Sequence, residues 1–344
     1  MKILIPSDEG LHTAAEALRA GLLVAFPTET VYGLGGDGFN LQALAGIFAA
    51  KGRPRFDPLI IHIADLDSLE RIAATDSLEL AVRDKVHALC ACLWPGPLTL
   101  ILPKQPDVPD LATSGLPTVA VRFPDHRVAQ QLIRLSTGAV AAPSANPFGY
   151  LSPTKAAHVQ EQLGDQVAFI IDGGPCGIGV ESTVLDLSAG SPQILRPGGT
   201  PRERIEAVIG PVAGPPLEPG STIHSPGQLK SHYAPRTALT LHSRQEMIHL
   251  PYEPSEAYLF FDRWSWDAWV QGLGLMYPAG TSRIRVLSEQ GNLAEAAARL
   301  FELLHEFDRI GVSVIHAEQV PETGLGLAIN DRLTHASCRK ALKP

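Results

Sequence analysis

Five short stretches of the chain crowd cations, hydroxyls and glycines together after apolar runs, which suits the handling of an anionic ligand. The densest is KGRPRFDPLIIHI, 51–63, where Lys51, Arg53 and Arg55 place three cations within five residues and Pro54 and Pro58 stiffen the backbone. Arginine grips phosphate oxygens as a fork and lysine acts as a point charge, so this stretch reads as an anion site. The plainer alternative is that Lys51 and Arg53 only complement the negative end of a helix. His62 follows inside an apolar run, where a histidine is ordinarily a satisfied core residue. In TVAVRFPDH, 118–126, Arg122 ends an apolar run just before Pro124. A strand-end arginine takes a carboxylate through two parallel hydrogen bonds, or else forms an ion pair with a nearby Asp.

The remaining stretches add polar groups of other kinds. PTETVYGLGGD, 27–37, offers Thr28, Glu29, Thr30 and Tyr32, and its Gly33, Gly35 and Gly36 either let backbone approach a ligand or serve the turn alone, two readings of equal standing. No GK[ST] follows, so it is not a Walker loop. AAPSANPFGYLSPT, 141–154, carries Ser144, Asn146 and Ser152 after a strand, and lacks the GxSxG elbow of a hydrolase nucleophile. DGGPCGIGVESTVLDL with ILRPGG, 172–199, adds Ser182, Thr183 and Arg196. The four cysteines, Cys90, Cys92, Cys176 and Cys338, form no CxxC pair and no zinc spacing, so reduced thiols are expected. Cys176, alone in a glycine-rich loop, has a nucleophile as its sharper alternative. Cations and hydroxyls without a Ser-His-Asp order favour positioning and charge stabilisation, the requirements of phosphoryl or nucleotidyl transfer.

The elements that must hold these groups alternate between helix and strand. Apolar spacing predicts a helix from Leu11 to Gly21, then a strand over 22–27. Asn40 caps a predicted helix over 41–50, with a strand over 59–63 beyond it. Further strands are predicted over 98–102, 119–123, 138–142, 168–172 and 182–187, with helices over 127–135 and 154–163. This pattern predicts an α/β fold built on a twisted mixed sheet. A helix over 202–209 leads into GPVAGPPLEPGSTIHSPGQLKSHYAP, dense in Pro, Gly and Ser, which reads as a linker. A second α/β alternation follows: strands over 238–241, 257–261, 284–287 and 312–316, and a helix over 293–308. It resembles a small Rossmann-like layer. The expected organisation is 1–210 catalytic domain, 211–236 linker, and 237–344 C-terminal domain.

Composition bounds the alternatives. With 344 residues, two domains are expected; 45% hydrophobic and 19% charged residues describe an ordinary globular chain. The 28 Lys and Arg against 36 Asp and Glu give −8, which supplies no general attraction for a nucleic-acid backbone. No run approaches the roughly 20 apolar residues of a membrane helix. Asp8 and Glu9 interrupt the amino-terminal apolar run too early for a secretory segment, so the cytoplasm is the expected compartment.

In order along the chain, PTETVYGLG, KGRPRFDPLIIHI, WPGPLTLIL, TVAVRFP, AAPSAN, GVEST and ILRPGG resemble the YrdC-like domain of threonylcarbamoyl-AMP synthases. SPGQLKSHYAP and the C-terminal GLGLAINDRL are similar to the longer, two-domain form of that family. The resemblance implies a YrdC-like mixed sheet with a smaller C-terminal Rossmann-like domain. It implies synthesis of threonylcarbamoyl-AMP and pyrophosphate from L-threonine, bicarbonate (or CO2) and ATP, for threonylcarbamoyladenosine in tRNA. Residue by residue, it places Thr30, His62, Arg122, Ala142 and Ser182 around threonine, with Arg122 on the carboxylate. Arg53, Asp57, Thr118, Ser144, Ser152 and Arg196 would hold ATP, Asn146 supporting their loop and Lys51 beside the phosphates, with Lys51 and Arg53 catalytic. Tyr233 would close over the nucleotide as part of a lid. Mg²⁺ would accompany ATP, with no organic cofactor, and the tRNA-dependent threonylcarbamoyl transferase machinery would consume the product. A weak tRNA contact accompanies this reading, and no membrane partner. The competing class is an RNA-binding module without turnover, which the net charge disfavours. Carbamoyl transfer of the hydrogenase-maturation kind lacks its acylphosphatase-like and CxxC zinc segments here.

Overall fold

The computed structural model describes residues 2–188, 191–215, 233–274 and 282–338. The chain divides into two compact units: Met1–Phe148, Ser152–Gly177 and Glu181–Leu229 form the first, and Gly149–Leu151, Ile178–Val180 and Lys230–Pro344 the second. Residues 216–232 of the expected linker, including its SPG segment, lie outside the described residues.

The first unit begins with β1 (Lys2–Leu4), α1 (Asp8–Arg19), β2 (Val24–Phe26), β3 (Gly33–Asp37) and α2 (Leu41–Lys51). Then come β4 (Ile60–His62), α3 (Asp67–Ile72), α4 (Leu80–Leu93), β5 (Leu98–Pro103), α5 (Asp110–Thr113) and β6 (Thr118–Arg122). It ends with α6 (Arg127–Leu135), β7 (Val140–Ala141), α7 (Ala156–Leu163), β8 (Phe169–Ile171), β9 (Thr183–Asp186), β10 (Gln193–Arg196) and α8 (Arg202–Ile209). Capping fixes the helices that matter to the site. Ser7 accepts from Gly10 N–H at the head of α1, and Asn40 accepts from the backbone of Gln42 and Ala43 at the head of α2. Gly52, left-handed at φ 60°, stops α2 directly after Lys51.

Ten strands form one mixed sheet in the order β1-β8-β2-β3-β7-β4-β6-β5-β9-β10. The glycine-rich stretch 33–37 is strand here, and its glycines serve packing. Gly33 and Gly35 pair antiparallel with Phe26 and Val24, and a Cβ on Gly35 would lie 2.7 Å from the Phe26 ring. Side chains alternate across each strand. Ile61 and Ile63, Val119 and Val121, and Leu98, Leu100 and Leu102 join the main core. Ile60, Ile101, Ala120, Val184 and Leu195 form a separate cluster of the opposite parity. His62, Thr99, Arg122 and Ser182 share that second face, because they stand two residues from Ile60, Ile101, Ala120 and Val184.

The second unit holds β11 (Ala238–His242), α9 (Arg244–Met247), β12 (Ala257–Asp262), α10 (Arg263–Gly272), β13 (Ile284–Ser288), α11 (Leu293–Ile310), β14 (Val314–Glu318) and α12 (Gly326–Ser337). Its four strands are all parallel, in the order β11-β14-β12-β13. The crossovers put Ala296, Ala297, Leu300, Leu303, Leu304 and Phe307 of α11 in the interior. Buried Glu318, at the end of β14, accepts from Phe261 N–H, Ser265 Oγ and Arg244 Nε, so the acid closes the strand ends together. Among the described residues no helix is long and apolar enough to cross a membrane.

Candidate active site

Two polar centres are built on the neighbouring strands β4 and β6, which run parallel with Ile60 beside Ala120 and His62 beside Arg122. One lies before the strands, at the loop that carries Arg53, Asp57 and Pro58. The other lies at their far ends, at His62 and Arg122.

The first centre is a buried basin of cations. Lys51 Nζ donates to the backbone oxygens of Ser144, at 2.6 Å, and of Asn146, so the end of α2 holds the loop 144–146. Arg53 donates from Nε to Asp57 O at 3.0 Å and from Nη2 to Pro58 O at 2.8 Å, and Nη2 also lies 2.9 Å from Asp57 Oδ1. Arg196, from the end of β10, donates to Ser182 O at 2.9 Å. Ser152 Oγ donates to Glu181, a buried carboxylate. Burial pushes the Asp57 carboxyl up, opposed by Arg53, Lys51 and Arg196. Burial, with Arg53 adding to it, pushes the Lys51 ammonium well down, opposed by Asp57 and Glu181. Three cations thus face two carboxylates inside a water-poor site, and added negative charge would hold Lys51 protonated. Arg55, counted with this cluster from sequence, is exposed, and Arg196 from a distant strand supplies the third cation. Thr118 sits half-buried at the start of β6.

The second centre is smaller. Arg122 reaches Glu29 Oε1 with Nη2 at 2.6 Å and donates from Nε to Gly96 O at 3.4 Å. The ion pair that the sequence reading offers Arg122 is with a nearby Asp; the partner is instead Glu29, brought in from the turn between β2 and β3. His62 is held down to about 3 by burial and by the Arg122 charge, so its ring is neutral. Thr30 is fully buried, with its hydroxyl 2.9 Å from that of Thr28. Ala142 is buried, and its N–H donates to Ile60 O at 3.0 Å. Ser182 Oγ lies 2.7 Å from Thr99 Oγ1, on the face that His62 and Arg122 share, while its carbonyl holds Arg196. Ser182 therefore joins the two centres.

Close backbone packing supports this junction. A Cβ on Gly198 would lie 2.3 Å from Ser182 C and Thr183 N, so only glycine lets the strand carrying Arg196 come this near. Burial pushes the Cys176 thiol up to about 12, which leaves no thiolate to act as a nucleophile. Tyr233 belongs to the second unit, where its buried ring packs 6.0 Å from Phe301 and under the Arg332 guanidinium, at φ 60°. Glu181 and Thr99 did not stand out as site residues from sequence, and Glu29 was one of the polar groups of 27–37 with no role attached. Glu181 lies in GVEST beside Ser182, and the parity of Thr99 matches that of Arg122, so both carried a usable signal.

Buried cations in one centre, joined through Ser182 to a buried arginine in the other, are chemistry that a nucleotidyl-transferring α/β domain would use. Two family profiles match the chain: the Sua5, YciO and YrdC family, described as telomere recombination, over residues 16–198, and the threonylcarbamoyl-AMP synthase C-terminal domain over 200–338. A threonylcarbamoyl-AMP synthase of Pyrococcus abyssi is 43% identical over 337 residues, covering 97% of this chain and 95% of the relative. One of Bacillus subtilis is 42% identical, covering 99% and 96%. The crystal structure of P. abyssi Sua5 complexed with L-threonine superposes with a TM-score of 0.86 at 40% identity, covering 98% of each chain. The chain belongs to the threonylcarbamoyl-AMP synthase family, in its two-domain form.

Proposed function

We propose that the chain joins L-threonine, bicarbonate or CO2, and ATP into threonylcarbamoyl-AMP, releasing pyrophosphate. The observation that carries this reading is the pair of centres that Ser182 joins: the buried cations Lys51, Arg53 and Arg196 in one, and Arg122 with neutral His62 in the other. Arg122 takes the threonine carboxylate, with Thr30, His62, Ala142 and Ser182 around the amino acid. The amine and CO2 give N-carboxythreonine, with loss of a proton. A carbamate oxygen then attacks the α-phosphorus of ATP, and the bond to the β,γ-diphosphate breaks. Lys51, Arg53 and Arg196 offset the charge that grows on the phosphate oxygens, in a site where burial strengthens each contact. Asp57, Thr118, Ser144, Asn146 and Ser152 hold the nucleotide. No group of three His, Cys, Asp or Glu side chains is placed for a metal among the described residues. Mg²⁺ enters this proposal with the nucleotide, carried on its phosphates.

The product is a mixed anhydride, so a group-transferring enzyme that acts on tRNA consumes it, and the cytoplasm is where both would meet. The direct test of the reaction uses ¹³C-bicarbonate with ATP and L-threonine, followed by mass spectrometry of the nucleotide products. A threonylcarbamoyl-AMP peak carrying one ¹³C supports the reading. AMP and pyrophosphate without the labelled adduct, or tRNA binding without any turnover, contradicts it.

A further inference from the structure

Glu29 stands between β2 and β3, and its carboxylate meets Arg122 Nη2 at 2.6 Å with the two side chains 11% and 5% exposed. The contact is ionic but off the hydrogen-bonding direction. Among the described residues neither Glu29 oxygen accepts a hydrogen bond, Arg122 Nη2 donates none, and His126 Nδ1 close by has no partner. All of these atoms are shut away from water. A buried pair kept only for stability gains from well-aimed hydrogen bonds, and without them it is worse than apolar side chains of the same volume. Unspent lone pairs and N–H groups gathered in one cluster need a ligand that carries both kinds of complement.

We infer that Glu29 and Arg122 together read the two charged ends of a zwitterionic α-amino acid, Arg122 the carboxylate and Glu29 the ammonium. This rests on Arg122 being the carboxylate anchor, as proposed above. The two ends of an α-amino acid are separated by one carbon, and the two protein groups are in contact, so a single ligand meets both. An ammonium has three donors for the Glu29 oxygens, and each bond is charge-assisted. The pair thus selects an amino acid over a hydroxy acid or an amine of the same shape. Carboxylation of the amine removes the positive charge, so Glu29 favours the bound amino acid over its carbamate. Its loss is expected to raise KM for threonine more than it lowers kcat.

The test compares the full chain with Glu29→Gln by isothermal titration, using L-threonine and 2,3-dihydroxybutanoate of matching stereochemistry, in which a hydroxyl replaces the amine. Threonine affinity is expected to fall roughly ten- to hundredfold in Glu29→Gln, as one charged hydrogen-bond set is lost. The affinity for the hydroxy acid is expected to stay where it was, and Glu29→Asp to recover part of the difference. ATP binding by Glu29→Gln at the wild-type level shows that the site is folded. Equal or tighter threonine binding by Glu29→Gln overturns the inference and makes Glu29 a competitor for Arg122. An equal loss for both ligands overturns it in favour of a structural pair. Arg122→Gln separates the two levels of the reading. If it abolishes threonine binding while Glu29→Gln changes nothing, only the role of Glu29 fails; if the wild-type chain binds no threonine, both fail.

Discussion

Replacing His62 by Gln should flatten the acid side of the stability profile. The His62 ring is buried on β4 beside Arg122, and it is held down to about 3 from 6.5, by burial first and by Arg122 second. In the unfolded chain the ring takes up a proton as pH falls through 6.5, whereas in the folded chain it does so only near 3. The unfolded state thus binds more protons across this window, and stability from this group falls as pH falls. Between about pH 7 and pH 4.5 the loss amounts to about 2.5 kcal/mol, at about 1.36 kcal/mol per pH unit. Urea denaturation followed by far-ultraviolet circular dichroism, at both pH values, reads the difference. His62→Gln lowers stability at neutral pH through lost packing, so the comparison is between the two slopes. The wild-type chain should lose about 2.5 kcal/mol more than the variant on acidification. Equal losses in both proteins would refute a buried neutral ring at this position.

Other consequences concern separate parts of the site. Arg122→Gln should weaken threonine binding by tenfold or more and leave ATP binding within about twofold, as equilibrium dialysis of each ligand would show. Lys51→Met should remove the tie to the Ser144 and Asn146 carbonyls and cut the rate of pyrophosphate release by about a hundredfold or more, read in a coupled phosphate assay. Gly198→Ala should destabilise the first unit by roughly 1–3 kcal/mol, since its Cβ would meet Ser182 and Thr183 backbone at 2.3 Å; chemical denaturation checks this. Exposed Cys92 and Cys338 should react with iodoacetamide at neutral pH in the native protein, and buried Cys90 and Cys176, each pushed up to about 12 by burial, only after unfolding.

Much of this fold is written locally in the chain. Asn40 caps α2 as its side chain suggests, α6 covers Arg127–Leu135, and α8 covers Arg202–Ile209, as their apolar spacing predicts. The alternation in IIHI and VAVRF carries more than strand formation, because it places His62 and Arg122 on one face together. What the chain does not state locally is strand order. The third cation of the basin, Arg196, arrives from β10 at one end of a ten-stranded sheet, while Arg55, two residues from Arg53, turns outward. Glycines 33, 35 and 36 leave ligand loop and packed backbone evenly matched, because both place the same residue there; the Phe26 ring beside Gly33 and Gly35, and Leu23, Ala43 and Ile47 around Gly36, decide for packing. Helix α4 has helical spacing in Val82, Val86, Leu89 and Leu93, but Glu79 makes no capping hydrogen bond, so the signals that mark helix starts pass over it. Glu29 lay in view inside PTET. Only the folded chain shows that its carboxylate meets Arg122 without a hydrogen bond.

The central claim is that one site joins an amino acid to a nucleotide through a carbamate, and pyrophosphate release from ATP by the purified full chain tests it most directly. Release is expected to require both L-threonine and bicarbonate, with L-serine giving much less. Release that proceeds without threonine, or no release with all three substrates and Mg²⁺ present, would contradict it.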